Sequence, residues 1–136
     1  METMKGVKYG GFVYKKIDKY RTHDEEKNQT LGVIDYNSFI FTFKDDNPMK
    51  FVPKEQYKEP NPEPHFLLYK EVDWRMFVFG NCDIYVAKKG RKSVCENNKA
   101  SLYDFQGIEN ALSGYTGWDE DKERFNLKRV LVLQFK

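Results

Sequence analysis

The run Phe39-Ile40-Phe41-Thr42-Phe43 constrains the fold of this chain most. Alternate side chains of a strand point to opposite faces, so the three phenylalanines share one face. Asp45-Asp46-Asn47-Pro48 follows as a turn, because Asp and Asn bond their own backbone and proline presets φ. Met49 and Phe51 resume the alternation. The two runs are expected to form a hairpin whose loop is longer than the tightest type.

Similar short runs recur along the chain. Val7 to Tyr14 is a strand candidate in which Gly10-Gly11 implies a bulge or a close backbone approach. Phe66–Tyr69, Met76–Phe79 and Ile84–Ala87 are three more strand candidates, with Gly80-Asn81 breaking the middle run. Phe125 to Phe135 closes the chain as a strand. Its Val130–Leu133 part is apolar on both faces, which predicts a central position in a sheet. One short helix is expected over Phe105–Gly114, where Ile108, Ala111 and Leu112 share a face and Gly114 ends it. Lys15–Thr30, the proline-rich Pro53–Pro64 and Tyr115–Arg124 read as loops, and Ser93–Ser101 is polar.

Strands that follow one another without regular crossover helices pair antiparallel. The expected fold is α+β and mainly β: two antiparallel sheets packed as a β-sandwich with one or two short flanking helices. The 136 residues amount to a single domain, 1–136. Only 40% of them are hydrophobic but 16% are aromatic, so Phe and Tyr are expected to build the core.

With 23 basic and 21 acidic residues, the net charge of +2 does not mark a nucleic-acid protein. No apolar run is long enough to span a membrane, and the first residues lack the apolar core of a leader peptide. A cytoplasmic location is therefore the expectation, with Cys82 and Cys95 as free thiols.

The chain carries no clear catalytic signature, and neither an enzyme nor a cofactor is expected. Cys82 and Cys95 form no CxxC, and His23 and His65 are far apart, so no metal set is expected either. His23-Asp24-Glu25-Glu26 and Asp119, Glu120, Asp121 and Glu123 read as solvated acidic loops. Gly10-Gly11 fits neither phosphate-binding glycine pattern.

Two features invite function. Lys88, Lys89, Arg91 and Lys92 make a basic turn that could hold an acidic protein surface or phosphate, with Tyr85 and Tyr103 near enough in sequence to stack bases. A solvated hairpin turn explains the same residues, as it does the weaker cluster Lys15, Lys16, Lys19 and Arg21. Cys95 lies near Arg91 and Lys92, which would lower its pKa, whereas Asp83 would raise that of Cys82. Cys95 is thus the better redox candidate and Cys82 the second. An inert structural thiol is the alternative for either.

An ordered series of pieces resembles the TLDc domain family. Tyr9-Gly10-Gly11-Phe12 resembles its aromatic-Gly-Gly-aromatic strand. Phe39–Phe43 with Met49-Lys50-Phe51 resembles its FxFSL-like strand and the paired return. Phe79–Val86 resembles the FG…DIYI segment, Ser101–Phe105 the S…Y piece, and Ala111–Gly114 the ALTG piece. Phe125–Phe135 resembles the closing strand.

The resemblance implies a two-sheet sandwich and a non-enzymatic interaction module without a cofactor. It also implies association with oxidative-stress resistance and with vacuolar proton-pumping ATPase subunits as protein partners. Family members carry further sequence before the Gly-Gly strand. Here that part is short or missing, so an exposed edge or apolar surface is expected, which a homodimer would cover.

Overall fold

The computed structural model describes residues 1–17, 30–44, 46–57, 63–69, 75–88, 91–95, 101–108, 111–112, 124–125 and 127–133. Its strands are β1 (Glu2–Thr3), β2 (Tyr9–Phe12), β3 (Thr30–Val33), β4 (Phe39–Lys44), β5 (Asn47–Phe51), β6 (Phe66–Tyr69), β7 (Arg75–Phe79), β8 (Ile84–Ala87), β9 (Ser93–Cys95), β10 (Arg124–Phe125) and β11 (Leu127–Arg129). They form a three-stranded sheet β2-β4-β5, a six-stranded sheet β10-β9-β8-β7-β6-β3, and a two-stranded ribbon β1-β11. All pairings are antiparallel. The protein is mainly β, with sheets packed face to face.

Strand alternation builds the core. Tyr9, Ile40 and Phe51 point from the three-stranded sheet toward Phe66, Phe77, Phe79, Ile84 and Val86 of the six-stranded sheet. Aromatic rings dominate the seam, as the composition implies. Phe79 lies 4.8 Å from Phe66 between ring centroids, and Phe51 lies 5.1 Å from Phe105. The six-stranded sheet is apolar on its other face too, where Val78, Tyr85 and Ala87 pack with Leu67, Tyr69 and Val94. All four residues of β8 are buried, which is why Ile84–Ala87 reads as a continuous apolar run.

Four local expectations are corrected. The β4–β5 hairpin is tight: Lys44 pairs with Asn47, and Asp46 takes a left-handed φ of 57°. Asn47 and Pro48 belong to the strand, and β5 lies at a sheet edge, where a missing N–H costs no ladder bond. The helix expected over Phe105–Gly114 does not form in its described part, which is made of turns. Gln106 and Gly107 have φ of 54° and 71°, and a right-handed helix cannot pass through two successive left-handed residues.

Val130–Leu133 is not a central strand. Among the described residues β11 pairs only with β1, where Lys128 and Arg129 hold Glu2 at 3.0 and 3.1 Å, and Leu131–Leu133 lie exposed. Pro53, expected in an exposed excursion, is buried and bridges to Tyr103. Among the described residues the only helical piece is a single 3-10 turn, Glu55–Tyr57.

Gly10-Gly11 resolves as close approach rather than a bulge, on both faces of β2. A Cβ on Gly11 would stand 2.5 Å from Phe79 in the core. One on Gly10 would stand 2.7 Å from the tip of the Phe41 ring on the outer face.

Candidate functional site

β4 turns Ile40 and Thr42 inward, both fully buried. It therefore turns Phe39, Phe41 and Phe43 outward, and Phe43 is 48% exposed. Phe12 comes from the neighbouring strand in register with Phe39, and Tyr14 extends the row. Centroid separations are 4.7 Å for Tyr14–Phe12, 5.4 Å for Phe12–Phe39, 6.2 Å for Phe39–Phe41 and 5.8 Å for Phe41–Phe43. The result is a continuous aromatic belt on the solvent side of the sheet. From β5, Lys50 pairs with Phe41 and sets its ammonium 4.3 Å from the Phe39 ring centroid, within cation–π range.

The belt runs into an open trough of about 260 Å³ lined by Phe41, Phe43, Met1, Lys8, Arg129 and Leu131, among others. Beyond it, Leu131, Val132 and Leu133 are 67%, 76% and 66% exposed. Glu2 accepts hydrogen bonds from Lys128 and Arg129 at the rim, and these neighbours, with Lys8, hold its carboxyl below the usual range.

A second constellation is buried where the sheets meet. Asp83 follows the turn after β7, in which Gly80 has φ of 62° and faces the Asp83 carboxylate too closely for any Cβ. Asp83 Oδ2 accepts the backbone N–H of Tyr103 at 2.8 Å. Tyr103 exchanges a hydrogen bond with Ser38 at 2.9 Å and donates to the His65 carbonyl at 3.3 Å. His65 Nδ1 accepts the Asp35 backbone N–H at 3.2 Å. Asp35 in turn accepts the backbone N–H groups of Tyr14, Lys15 and Asn37.

These bonds clamp five segments that are distant in sequence: Tyr14–Lys15, Asp35–Ser38, His65, Asp83 and Tyr103. Two polar atoms are left over: Asp83 Oδ1 and His65 Nε2 have no partner among the described residues. Burial pushes the Asp83 carboxyl up to about 7, against the pull of its hydrogen bonds from Tyr103, Ser101 and Leu102. Burial lowers His65 to about 4, against the nearby Asp35 carboxylate. Burial also raises the Tyr103 phenol. The knot is sealed from solvent: Asp35, Ser38, His65, Asp83 and Tyr103 are all buried.

Comparison with family models, with curated proteins and with solved structures finds no match to this chain.

The residues singled out in the sequence are scattered. Lys88 follows β8 and its carbonyl accepts a turn hydrogen bond from the Arg91 N–H at 3.2 Å, while Arg91 and Lys92 are exposed. Lys89 lies outside the described residues, as do Lys19, Arg21, His23-Asp24-Glu25-Glu26 and the whole acidic run of Tyr115–Arg124 except the backbone of Arg124. Cys95 is only 6% exposed and belongs to the core, whereas Cys82 is exposed in a left-handed turn with φ of 67°. Burial disfavours the thiolate, so position opposes the activation that the neighbouring cations would give Cys95.

Tyr85 and Tyr103 are buried in the two cores and offer no face to a base. Among the described residues, no three His, Cys, Asp or Glu side chains cluster as metal ligands do, and no helix is long and apolar enough to cross a membrane. The outward direction of Phe39, Phe41 and Phe43 was missed. No local signal could have found it, because β2 carries one glycine and one aromatic on each face, Tyr9 and Gly11 inward and Gly10 and Phe12 outward.

Proposed function

We propose that this chain is a non-enzymatic interaction module of TLDc type, acting in the cytoplasm by docking onto a protein partner. By family resemblance the partner is a subunit of the vacuolar proton-pumping ATPase, and the setting is oxidative-stress resistance. One observation carries the proposal: three of the pieces that resemble the family lean on one another in a single core. The Gly-Gly strand accepts Phe79 at Gly11, the Gly80 turn accommodates Asp83, and Asp83 holds the backbone of Tyr103. Each of these three pieces then has a packing reason for its residue types, which leaves recognition to the surface.

The test is co-sedimentation of the full chain with the purified cytosolic sector of a vacuolar ATPase. Binding is expected, and it should weaken when Lys88, Lys89, Arg91 and Lys92 are all changed to Glu. Absence of binding overturns the ATPase partner, and binding indifferent to the four changes removes the basic turn as the contact. A redox-responsive role is the second reading, favoured at Cys82 by its exposure.

A further inference from the structure

The aromatic belt faces solvent although the same sheet has a fully formed core on its other side. Rings in contact with one another, exposed at Tyr14 and Phe43 and half-buried at Phe12, Phe39 and Phe41, form an apolar patch of the kind that marks a docking surface. On the proposal that this chain is an interaction module, we infer that the belt on β2-β4-β5 is its docking face, and that its occupant is an extended, acidic segment of a partner protein with apolar side chains at alternate positions.

The spacing selects an extended chain. Ring centroids step 6.2 and 5.8 Å along β4. Residues on one side of an extended segment repeat at about 6.7 Å, so alternate apolar side chains can seat between successive rings.

Charge selects an acidic partner. Among the described side chains that the three-stranded sheet itself sets beside the rings, the charges are the ammonium groups of Lys50 and, by strand alternation from Tyr9, Lys8. At the trough, Lys8, Lys128 and Arg129 outnumber the Glu2 carboxylate they surround. A second copy of the same face would bring like charges together, which opposes association. The ring geometry disfavours single-stranded nucleic acid, which binds by stacking bases on open aromatic faces. Phe12 and Phe39 spend their faces on each other at an interplanar angle of 21°, and Lys50 covers the Phe39 ring further.

The test titrates the full chain, its fold checked by circular dichroism, into a fluorescein-labelled peptide of about eight residues in which Glu alternates with Leu or Phe, a length near 27 Å when extended. A twin peptide with Lys in place of Glu is the charge control. Binding of the Glu peptide alone is expected, weakened about tenfold by Phe43→Ser and by Lys50→Glu, since anchors of this type dominate interface energy. Both side chains reach solvent, so neither variant should unfold the sheet.

Equal binding by wild type and both variants overturns the choice of face. If the binding is instead lost when Lys88, Arg91 and Lys92 become Glu, the interaction module stands with a different surface. No binding of either peptide overturns the acidic segment as occupant, and co-sedimentation with the ATPase sector then reports on the module separately. Binding of labelled oligothymidine that Lys50→Glu abolishes would replace the peptide by nucleic acid. A dimer in sedimentation analysis that Phe43→Ser dissolves would replace it by a second copy.

Discussion

Asp83→Asn should change the pH dependence of folding in a way that can be worked out from the knot. Asp83 is fully buried, and burial raises its carboxyl from 3.8 to about 7. A raised acid pKa means that the folded state holds the proton more tightly than the unfolded state. The associated stability is fully present below the unfolded value near 3.8 and is lost as pH rises through about 7. Linkage over that shift gives a loss of about 3 kcal/mol between pH 5 and 8.5. Domains of this size are stable by roughly 5–15 kcal/mol, so the effect is large.

His65 works in the opposite direction. Its pKa is lowered to about 4, so its contribution is lost as pH falls from 6.5 toward 4 and partly masks the Asp83 effect in the wild type. The masking is common to both proteins and cancels in their difference. Asparagine keeps an acceptor for the Tyr103 N–H but buries an extra N–H, which costs about 1–3 kcal/mol at every pH.

Urea unfolding followed by tryptophan fluorescence should therefore find Asp83→Asn less stable than wild type at pH 5. The gap should close or reverse by pH 8.5, a swing of about 3 kcal/mol. Parallel profiles at the two pH values would refute the reasoning. They would mean that the donors from Ser101, Leu102 and Tyr103 outweigh burial and keep the carboxylate ionised throughout.

Gly11→Ala and Gly10→Ala should differ in thermal denaturation. The first forces a Cβ against the buried Phe79 ring and should cost about 1–3 kcal/mol, whereas the second meets the outer Phe41 ring, which can swing outward, and should cost less. Equal losses would contradict the assignment of the two faces. With a maleimide probe near neutral pH, Cys82 should label in the native protein and Cys95 only after denaturation. Fast native labelling of Cys95 would contradict its place in the core.

Strand alternation was legible wherever a run was apolar on one side or on both. β4, β6, β7 and β8 follow from their own residues, because alternation and burial are local consequences of a period of two. The helix expected at Phe105–Gly114 was not legible as turns. A periodic trio of apolar residues looks the same whether a helix or two turns deliver it to a core, and Ala111 and Leu112 are buried either way.

The candidate site was less legible still. The basic turn is conspicuous because charge clusters are visible in one dimension. The belt is assembled from β2, β4 and β5 and emerges only once register sets Phe12 opposite Phe39 and Lys50 opposite Phe41.

By itself, the sequence determined a small, aromatic-rich, antiparallel β protein, because side-chain period, turn residues and composition act over a few neighbours. Tertiary structure alone decided which face of Phe39–Phe43 meets water, since that depends on Gly11 admitting Phe79 from another sheet. It decided that Leu131–Leu133 would stand exposed, since the strand before them, β11, pairs with β1 rather than joining either larger sheet. It also decided that Asp83 and His65 would titrate far from their usual values, because their surroundings come from segments distant in the chain.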